Sequence, residues 1–271
     1  MKAPMIINIG WARAASTALR QNFLGRHPDL VAAGRNQAEQ EGPAAAILRA
    51  IKTLDDAQFR REIPGLKSIW SDYVDRTDGL VCLTDEEFSI GLPGRIGPAA
   101  LARRCAILYP EARILAVVRE QHDAIGSFYG LSQRSVFGDS TPFPDWLNRH
   151  FINPEKGQGF AYLYSHAATL RAYGEGRSRS DILTLSYDRL RDDATGAYAS
   201  IARWMAVDEP ACAELPNARL NASPNGHPPW TAVSATAIGA LYEADNRALA
   251  EEFGVTFSRS QSVGWNTADA V

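Results

Sequence analysis

Four short apolar runs, separated by helical patterns, constrain the fold of this chain more than any other feature. The runs lie at residues 5–9, 79–84, 112–119 and 181–187. A short continuous apolar run is typical of a strand that is buried on both faces. Helical patterns lie between and after the runs, at residues 16–24, 98–108, 122–131 and 187–205. This alternation predicts an α/β fold, a three-layer sandwich with a central parallel sheet flanked by helices.

Further helices are predicted at residues 44–54, 143–151, 160–173 and 233–253. The segment 216–229 is rich in Asn and Pro, and it is predicted to be a loop. A chain of 271 residues is long enough for one large α/β domain or two small ones. No segment has the composition of a linker, so we expect a single domain over residues 1–271.

The net charge and the cysteines narrow the class of protein. A formal net charge of −3 gives no general attraction to nucleic acid or to an anionic membrane. The three cysteines, Cys82, Cys105 and Cys212, form no CxxC pair, and no metal-spaced cluster or Ser/His/Asp order is present. We therefore expect neither a bound metal nor hydrolase chemistry. No long apolar stretch indicates a signal peptide or membrane insertion, and we expect a protein of the reducing cytoplasm.

The segment that follows the first strand is suited to an anion. A strand that ends at Gly10 and turns into a helix leaves backbone N–H groups unpaired, and the helix dipole favours negative charge there. Arg13 adds a permanent charge, and Ser16 and Thr17 add hydroxyl donors. The P-loop motif of nucleotide triphosphatases, G-x-x-x-x-G-K-[ST], has a lysine where this chain has Ser16. That difference disfavours an ATPase or a kinase.

A second candidate anion site lies at the end of the strand at 112–119. Arg119 closes this strand, and Ser127 follows within the next helix. An arginine at the carboxyl end of a parallel strand points into the ligand crevice, and a helix serine can face the same space. Together they would hold a phosphate through charge-assisted hydrogen bonds.

The two segments together resemble the nucleotide sites of sulfotransferases that use 3′-phosphoadenylyl sulfate (PAPS). The first segment is similar to the family's G-x-x-K-x-G-[ST]-[ST]-x-L loop, with Arg13 in place of the Lys and Ala15 in place of the second Gly. The second is similar to R-x-P-x-x-x-x-x-S-x-[YF], with Gln121 in place of the Pro. Further along, 183–190 resembles the family's strand followed by Y-[ED]-x-L, in which Tyr187 and Asp188 are expected to be structural.

The resemblance implies a P-loop NTPase-like fold, PAPS as co-substrate and adenosine 3′,5′-bisphosphate (PAP) as product. It also implies that Arg13 binds the sulfate-bearing phosphate and assists transfer. The implied nucleotide contacts are Arg13, Ala14, Ala15, Ser16, Thr17, Ala18, Arg119 and Ser127, with Arg219 and Asn221 from a late loop.

Sulfuryl transfer needs a base that removes the proton of the acceptor. The acidic residues after the second apolar run resemble the family's S-x-E-x-L segment, and Glu86 is the first candidate, followed by Glu87 and Asp85. His122 is an alternative base. The acidic run is also compatible with a helix N-terminus, where carboxylates complement the dipole. Lys67 is a further candidate sulfate contact.

Two functions are therefore open. The first is a PAPS-dependent sulfotransferase that acts on a hydroxyl or amine of a small-molecule or carbohydrate acceptor. The second is a nucleotide-binding or regulatory protein of the same fold that transfers no sulfate, which the departures at Arg13 and Ala15 favour. A P-loop kinase is a third, weaker alternative, and neither the acceptor nor the oligomeric state follows from the sequence.

Overall fold

Five parallel strands form one sheet in the order β2-β3-β1-β4-β5. The computed structural model describes residues 5–34, 42–90, 96–133, 140–154, 159–160, 162–217 and 228–257. The strands are β1 (Ile6–Asn8), β2 (Leu30–Gly34), β3 (Leu80–Thr84), β4 (Arg113–Val118) and β5 (Ile182–Ser186). The predicted α/β architecture, with a central parallel sheet flanked by helices, is confirmed.

The helices fill the connections between the strands. They are α1 (Ser16–Ala18), α2 (Pro43–Thr53), α3 (Asp56–Asp75), α4 (Pro98–Leu108), α5 (Gln121–Ser132), α6 (Phe143–Leu147), α7 (His166–Gly174), α8 (Tyr187–Asp192), α9 (Ala194–Met205) and α10 (Ala232–Phe253). Helix α1 continues as a π-helical segment, Leu19–Leu24, and α6 continues in the same way as Asn148–Ile152. Helix α7 packs on both α4 and α10, while Phe23 stacks on Tyr198 of α9 with ring centroids 5.1 Å apart.

Two elements were absent from the sequence prediction. Strand β2 lies at the edge of the sheet, and its Ala-rich sequence carries a weak apolar signal. Helix α3 contains Pro64, which disfavours a helix interior, although its apolar residues Phe59, Ile63, Leu66 and Trp70 recur at helical spacing, a signal that could have identified it. Its start is nevertheless marked by a capping box, in which Asp55 and Gln58 each accept a hydrogen bond from the other's backbone N–H.

The pairing of β1 brings the carboxyl ends of three strands together. Asn8, the last residue of β1, is in register with Thr84 at the end of β3 and with Leu115 of β4. The loops that follow β1, β3 and β4 therefore emerge side by side, and ligands of such sheets bind in the crevice beyond these strand ends. All three loops carry residues singled out by the sequence.

Gly34 closes β2 at a position that accepts no side chain, and this can be tested. Its φ is +145°, and a Cβ there would lie 2.0 Å from the backbone oxygen of Thr84. We expect Gly34→Ala to lower the free energy of unfolding by about 2 kcal/mol or more, because β2 must move away from β3. Gly65→Ala in helix α3, where nothing lies within 4 Å, should instead raise it by about 0.5–1 kcal/mol. Urea denaturation measures both free energies of unfolding. Equal effects of the two substitutions would contradict the conclusion that position 34 has no room for a side chain.

Candidate active site

The loop between β1 and α1 has the backbone conformation of an anion cradle. Arg13 and Ala15 both adopt left-handed conformations, with φ of 65° and 60°. Left-handed residues in a turn aim successive N–H groups at one point, which makes a concavity that binds anions. A Cβ added at Gly10 would lie 2.9 Å from Cβ of Ser16, so only glycine allows the loop to fold this tightly.

The two predicted anion-binding segments meet through their side chains. Arg13 donates from Nε to Oγ of Ser127 at 2.8 Å, and Nη1 of Arg119 donates to the backbone oxygen of Arg13 at 2.9 Å. Ser127 is buried within α5, whereas Arg13 and Arg119 are each partly exposed. The loop after β1 and the segment after β4 therefore form one basic cluster rather than two separate sites.

Arg119 is held on several sides. Its guanidinium carbon lies 4.4 Å from the ring centroid of Tyr187, a cation–π contact, and its backbone oxygen accepts a 2.9 Å hydrogen bond from Nε2 of His166. Burial lowers the pKa of His166 to about 4, so that histidine is neutral and donates through Nε2. The buried Nε of Arg119 has no hydrogen-bond partner among the described residues.

Gln121 stands where the resembling motif has proline, and the structure gives it a contact of its own. Its side-chain amide exchanges two hydrogen bonds with Asn246 of α10, at 2.7 and 3.0 Å. Helix α5 is capped by Glu120, whose carboxylate accepts from the backbone N–H of Asp123. Gln121, which replaces the proline, thus joins the first residue of α5 to α10.

Glu86 lies against the anion cradle. It begins a short 3₁₀ turn, Glu86–Phe88, directly after β3, and its Oε1 accepts a 2.5 Å hydrogen bond from Oγ of Ser16. The same turn is tied to the loop a second time, because Oγ of Ser89 donates to the backbone oxygen of Gly10 at 3.0 Å. The first candidate base therefore lies beside the predicted phosphate loop.

Lys52, which the sequence analysis did not identify as a site residue, forms ion pairs with two of the three neighbouring acidic residues. Its Nζ lies 2.7 Å from Oδ2 of Asp85 and 3.3 Å from Oε2 of Glu87. The Asp85 side chain is 1% exposed and also caps the 3₁₀ turn through the N–H of Glu87. Two of the acids are thus ion-paired with one lysine, while Glu86 faces Ser16. No sequence signal places Lys52 here, because it comes from the last turn of α2.

His122 faces away from this cluster towards α10. Its Nδ1 lies 2.6 Å from a Glu120 oxygen and its Nε2 lies 2.9 Å from the backbone oxygen of Ala235, so both ring nitrogens meet acceptors. Burial lowers the pKa of His122, but the hydrogen bond and charge of Glu120 outweigh it, and the net pKa is raised. Because each ring nitrogen already faces a protein oxygen, neither is directed at the cluster of Arg13, Arg119 and Glu86.

The remaining predicted residues fall into three groups. Ala14 is buried beneath the loop, while Thr17 and Ala18 lie partly exposed in the first turn of α1. Arg219 and Asn221 lie outside the described residues. Lys67 lies at the opposite end of the sheet, where it lines a cavity of about 640 Å³ with Met5 and Gly79, residues that precede β1 and β3. The expectation that Lys67 contacts the sulfate is therefore wrong, because α3 runs towards the amino ends of the strands.

The fold is shared with solved sulfotransferases. The chain is similar to a sulfotransferase from Alicyclobacillus acidocaldarius, with a TM-score of 0.63, 13% sequence identity, and coverage of 95% of this chain and 98% of that one. It is also similar to mouse sulfotransferase SULT7A1 complexed with PAP, with a TM-score of 0.53, 10% identity, and coverage of 91% and 86%. No protein-family model and no curated protein sequence matches the chain.

The chain thus has the P-loop-like α/β fold of the sulfotransferases, as the two motifs imply. Within the described residues, no group of three or more His, Cys, Asp or Glu side chains is placed to hold a metal ion. In that same part of the chain, no helix has the length and apolar character needed to cross a membrane.

Ala15 carries a conformation that glycine adopts without strain, which leads to a stability prediction. A left-handed non-glycine residue costs about 1–2 kcal/mol, so we expect Ala15→Gly to raise the free energy of unfolding by about 0.5–1 kcal/mol after the entropic cost of glycine. Ala14→Gly is the matched control, because Ala14 has no positive φ, and it should lower the value by a similar amount. Thermal and urea unfolding decide this, and destabilisation by both variants would refute the strain argument.

The Lys52 ion pair also leads to a prediction. Lys52→Met leaves the buried Asp85 carboxylate without its cation, and we expect a loss of about 3 kcal/mol in the free energy of unfolding. Arg247→Met removes an exposed pair with Glu243, 2.9 Å long, and should change stability by less than about 0.5 kcal/mol. Urea denaturation measures the two losses. Similar losses in the two variants would show that Lys52 does not stabilise the buried carboxylate of Asp85.

Proposed function

We propose that this protein is a sulfotransferase that moves a sulfuryl group from PAPS to a hydroxyl or amine of a small-molecule or carbohydrate acceptor. One observation carries the proposal: the basic cluster of Arg13, Arg119 and Ser127 adjoins a carboxylate, Glu86, through the 2.5 Å contact with Ser16. A nucleotide with several negative charges and an acceptor that must lose a proton require this combination of charges. The shared fold and the PAP bound to the mouse sulfotransferase support the choice of nucleotide.

The residues present fit the phosphates of PAPS. The buried Nε of Arg119 lacks an acceptor among the described residues, and phosphate oxygens supply one. The left-handed turn at Arg13 and Ala15 directs backbone N–H groups to a single point. In the proposed arrangement the 5′-phosphosulfate lies at Arg13–Ala18, and the 3′-phosphate lies at Arg119 and Ser127. Arg219 and Asn221 are proposed as further nucleotide contacts.

The proposed transfer divides the work among these residues. Glu86 takes the proton of the acceptor as the acceptor oxygen or nitrogen forms a bond to sulfur. The bond between sulfur and the bridging oxygen of the 5′-phosphate breaks, and its electron pair stays on the phosphate. Arg13 stabilises the negative charge that develops there, and its planar guanidinium can hold two oxygens at once. Neither His122 nor the Lys52-paired Glu87 is needed as the base.

Variants of Glu86 and Arg119 test this function. Glu86→Gln should still bind PAP and should lose about 10²–10⁴-fold in the rate of sulfuryl transfer, because the base is absent. Glu87→Gln is its matched control and should retain most of the rate. Arg119→Ala should weaken PAP binding by about 10- to 100-fold through loss of charge-assisted hydrogen bonds. Arg76→Ala, which removes an exposed arginine at the end of α3, should leave binding unchanged.

Calorimetry with PAP and a turnover assay with labelled PAPS and an acceptor panel provide the measurements. PAP binding without turnover on any acceptor would favour the second function, a nucleotide-binding protein that transfers no sulfate. Binding of ATP and Mg²⁺ with no preference for a 3′-phosphate would favour a kinase-like protein. Failure to bind PAP at all would overturn the proposal.

A further inference from the structure

A single hydrogen bond joins Ser16 to Glu86. Oγ of Ser16 donates to Oε1 of Glu86 at 2.5 Å, and a serine hydroxyl has only one proton to donate. Ser16 is 5% exposed and is the first residue of α1, directly after the left-handed turn of the anion cradle. Among the described residues, this is the one hydrogen bond of the Glu86 carboxylate.

A phosphate in the cradle would compete with Glu86 for that proton. Ser16 is the first residue of α1 and follows the anion cradle directly. A phosphate bound in the cradle needs hydrogen-bond donors for its oxygens, and the hydroxyl of Ser16 is one of the donors at this place. A carboxylate and a phosphate are both acceptors and both negative, so Ser16 can serve only one of them at a time. The 5′-phosphate, which is doubly charged in PAP and would also receive hydrogen bonds from backbone N–H groups and Arg13, is the stronger acceptor.

The neighbours of Glu86 make this competition specific to it. Lys52 lies against both flanking carboxylates, Asp85 and Glu87, and holds their charges whether or not a phosphate is present. Within the described part of the chain, no lysine or arginine forms such an ion pair with Glu86, and the hydrogen-bond partner of its carboxylate there is the hydroxyl of Ser16. Redirection of one hydroxyl therefore changes the hydrogen bonding of one acid out of three.

We propose that Ser16 couples nucleotide binding to the base: its hydroxyl redirects its hydrogen bond from Oε1 of Glu86 to the 5′-phosphate, and this frees Oε1 to accept the proton of the acceptor. This inference rests on the proposed function and extends it. No proton moves in the redirection itself, because the hydroxyl proton stays on Ser16 Oγ. Oε1 of Glu86 accepts the hydrogen bond of Ser16 until the nucleotide is bound, so this oxygen becomes available to the acceptor only after nucleotide binding.

A double-mutant cycle on PAP affinity tests the coupling without relying on turnover. The cycle compares the wild type, Ser16→Ala, Glu86→Ala and the double variant by calorimetry. In the presence of Ser16, Glu86→Ala should tighten PAP binding about tenfold, because the hydroxyl no longer has to leave a charged partner. In the Ser16→Ala background the same substitution should give a clearly smaller gain.

Two controls separate the coupling from simpler effects. Glu87→Ala removes the same charge one residue away, and it sets the gain expected from reduced repulsion alone. Ser16→Thr keeps a hydroxyl, so in this background Glu86→Ala should increase the affinity for PAP as much as it does with Ser16. If Ser16 had only a structural role, the presence of a hydroxyl at position 16 would not determine the size of this increase. Urea unfolding of every variant confirms that the compared proteins are folded.

The outcomes distinguish this inference from the function on which it rests. A larger gain from Glu86→Ala with Ser16 or Thr at position 16 than with Ala supports the coupling. Equal gains in all backgrounds, or a gain no larger than that of Glu87→Ala, overturn the coupling while PAP binding by the wild type still supports the proposed function. A wild-type protein that does not bind PAP overturns both.

Discussion

The parallel pairing of β1 with both β3 and β4 brings the parts of the candidate site together. Because β1 is central and all its neighbours run in the same direction, three loops leave the sheet at one edge. Each loop carries one component of the candidate site: Arg13 and Ser16 after β1, Glu86 after β3, and Arg119 after β4. The contacts between Arg13 and Ser127 and between Ser16 and Glu86 then join loops that are 114 and 70 residues apart in sequence.

Electrostatic balance in the site arises from pairs that include residues outside the recognisable motifs. Lys52 compensates Asp85 and Glu87, and Tyr187 lies over the guanidinium of Arg119. These contacts leave Arg13, Arg119 and Glu86 as the groups whose charge faces the cradle. The proposed nucleotide is a polyanion, and the pairing of Asp85 and Glu87 with Lys52 reduces the repulsion that these two carboxylates would exert on its phosphates.

Departures from the family's motifs are accommodated in ways that the structure explains. The alanine at position 15 adopts a left-handed conformation, which accounts for the glycine that the resembling loop has there. Gln121 replaces a proline and forms a buried amide pair with Asn246, so the turn keeps its place by a contact between helices. Arg13 keeps the positive charge of the usual lysine, and its side chain reaches Ser127 across the crevice. These three departures change local side-chain contacts, and the chain nevertheless has the fold of the solved sulfotransferases.

Sequence patterns alone predict the alternation of strands and helices, four of the five strands, and the two segments that meet in the candidate site. These features are local, because strand burial, helix periodicity and loop chemistry are written within a few neighbouring residues. Strand β2 was not predicted, since its place depends on pairing with β3, 50 positions further along the chain, and its own apolar signal is weak. Three other features became visible in the folded chain alone. Lys52 is ion-paired with Asp85 and Glu87. Both ring nitrogens of His122 face acceptors, and Lys67 lies at the far end of the sheet. The physical reason is the same in each case: these side chains are placed by the packing of distant elements, and no short stretch of sequence encodes that packing.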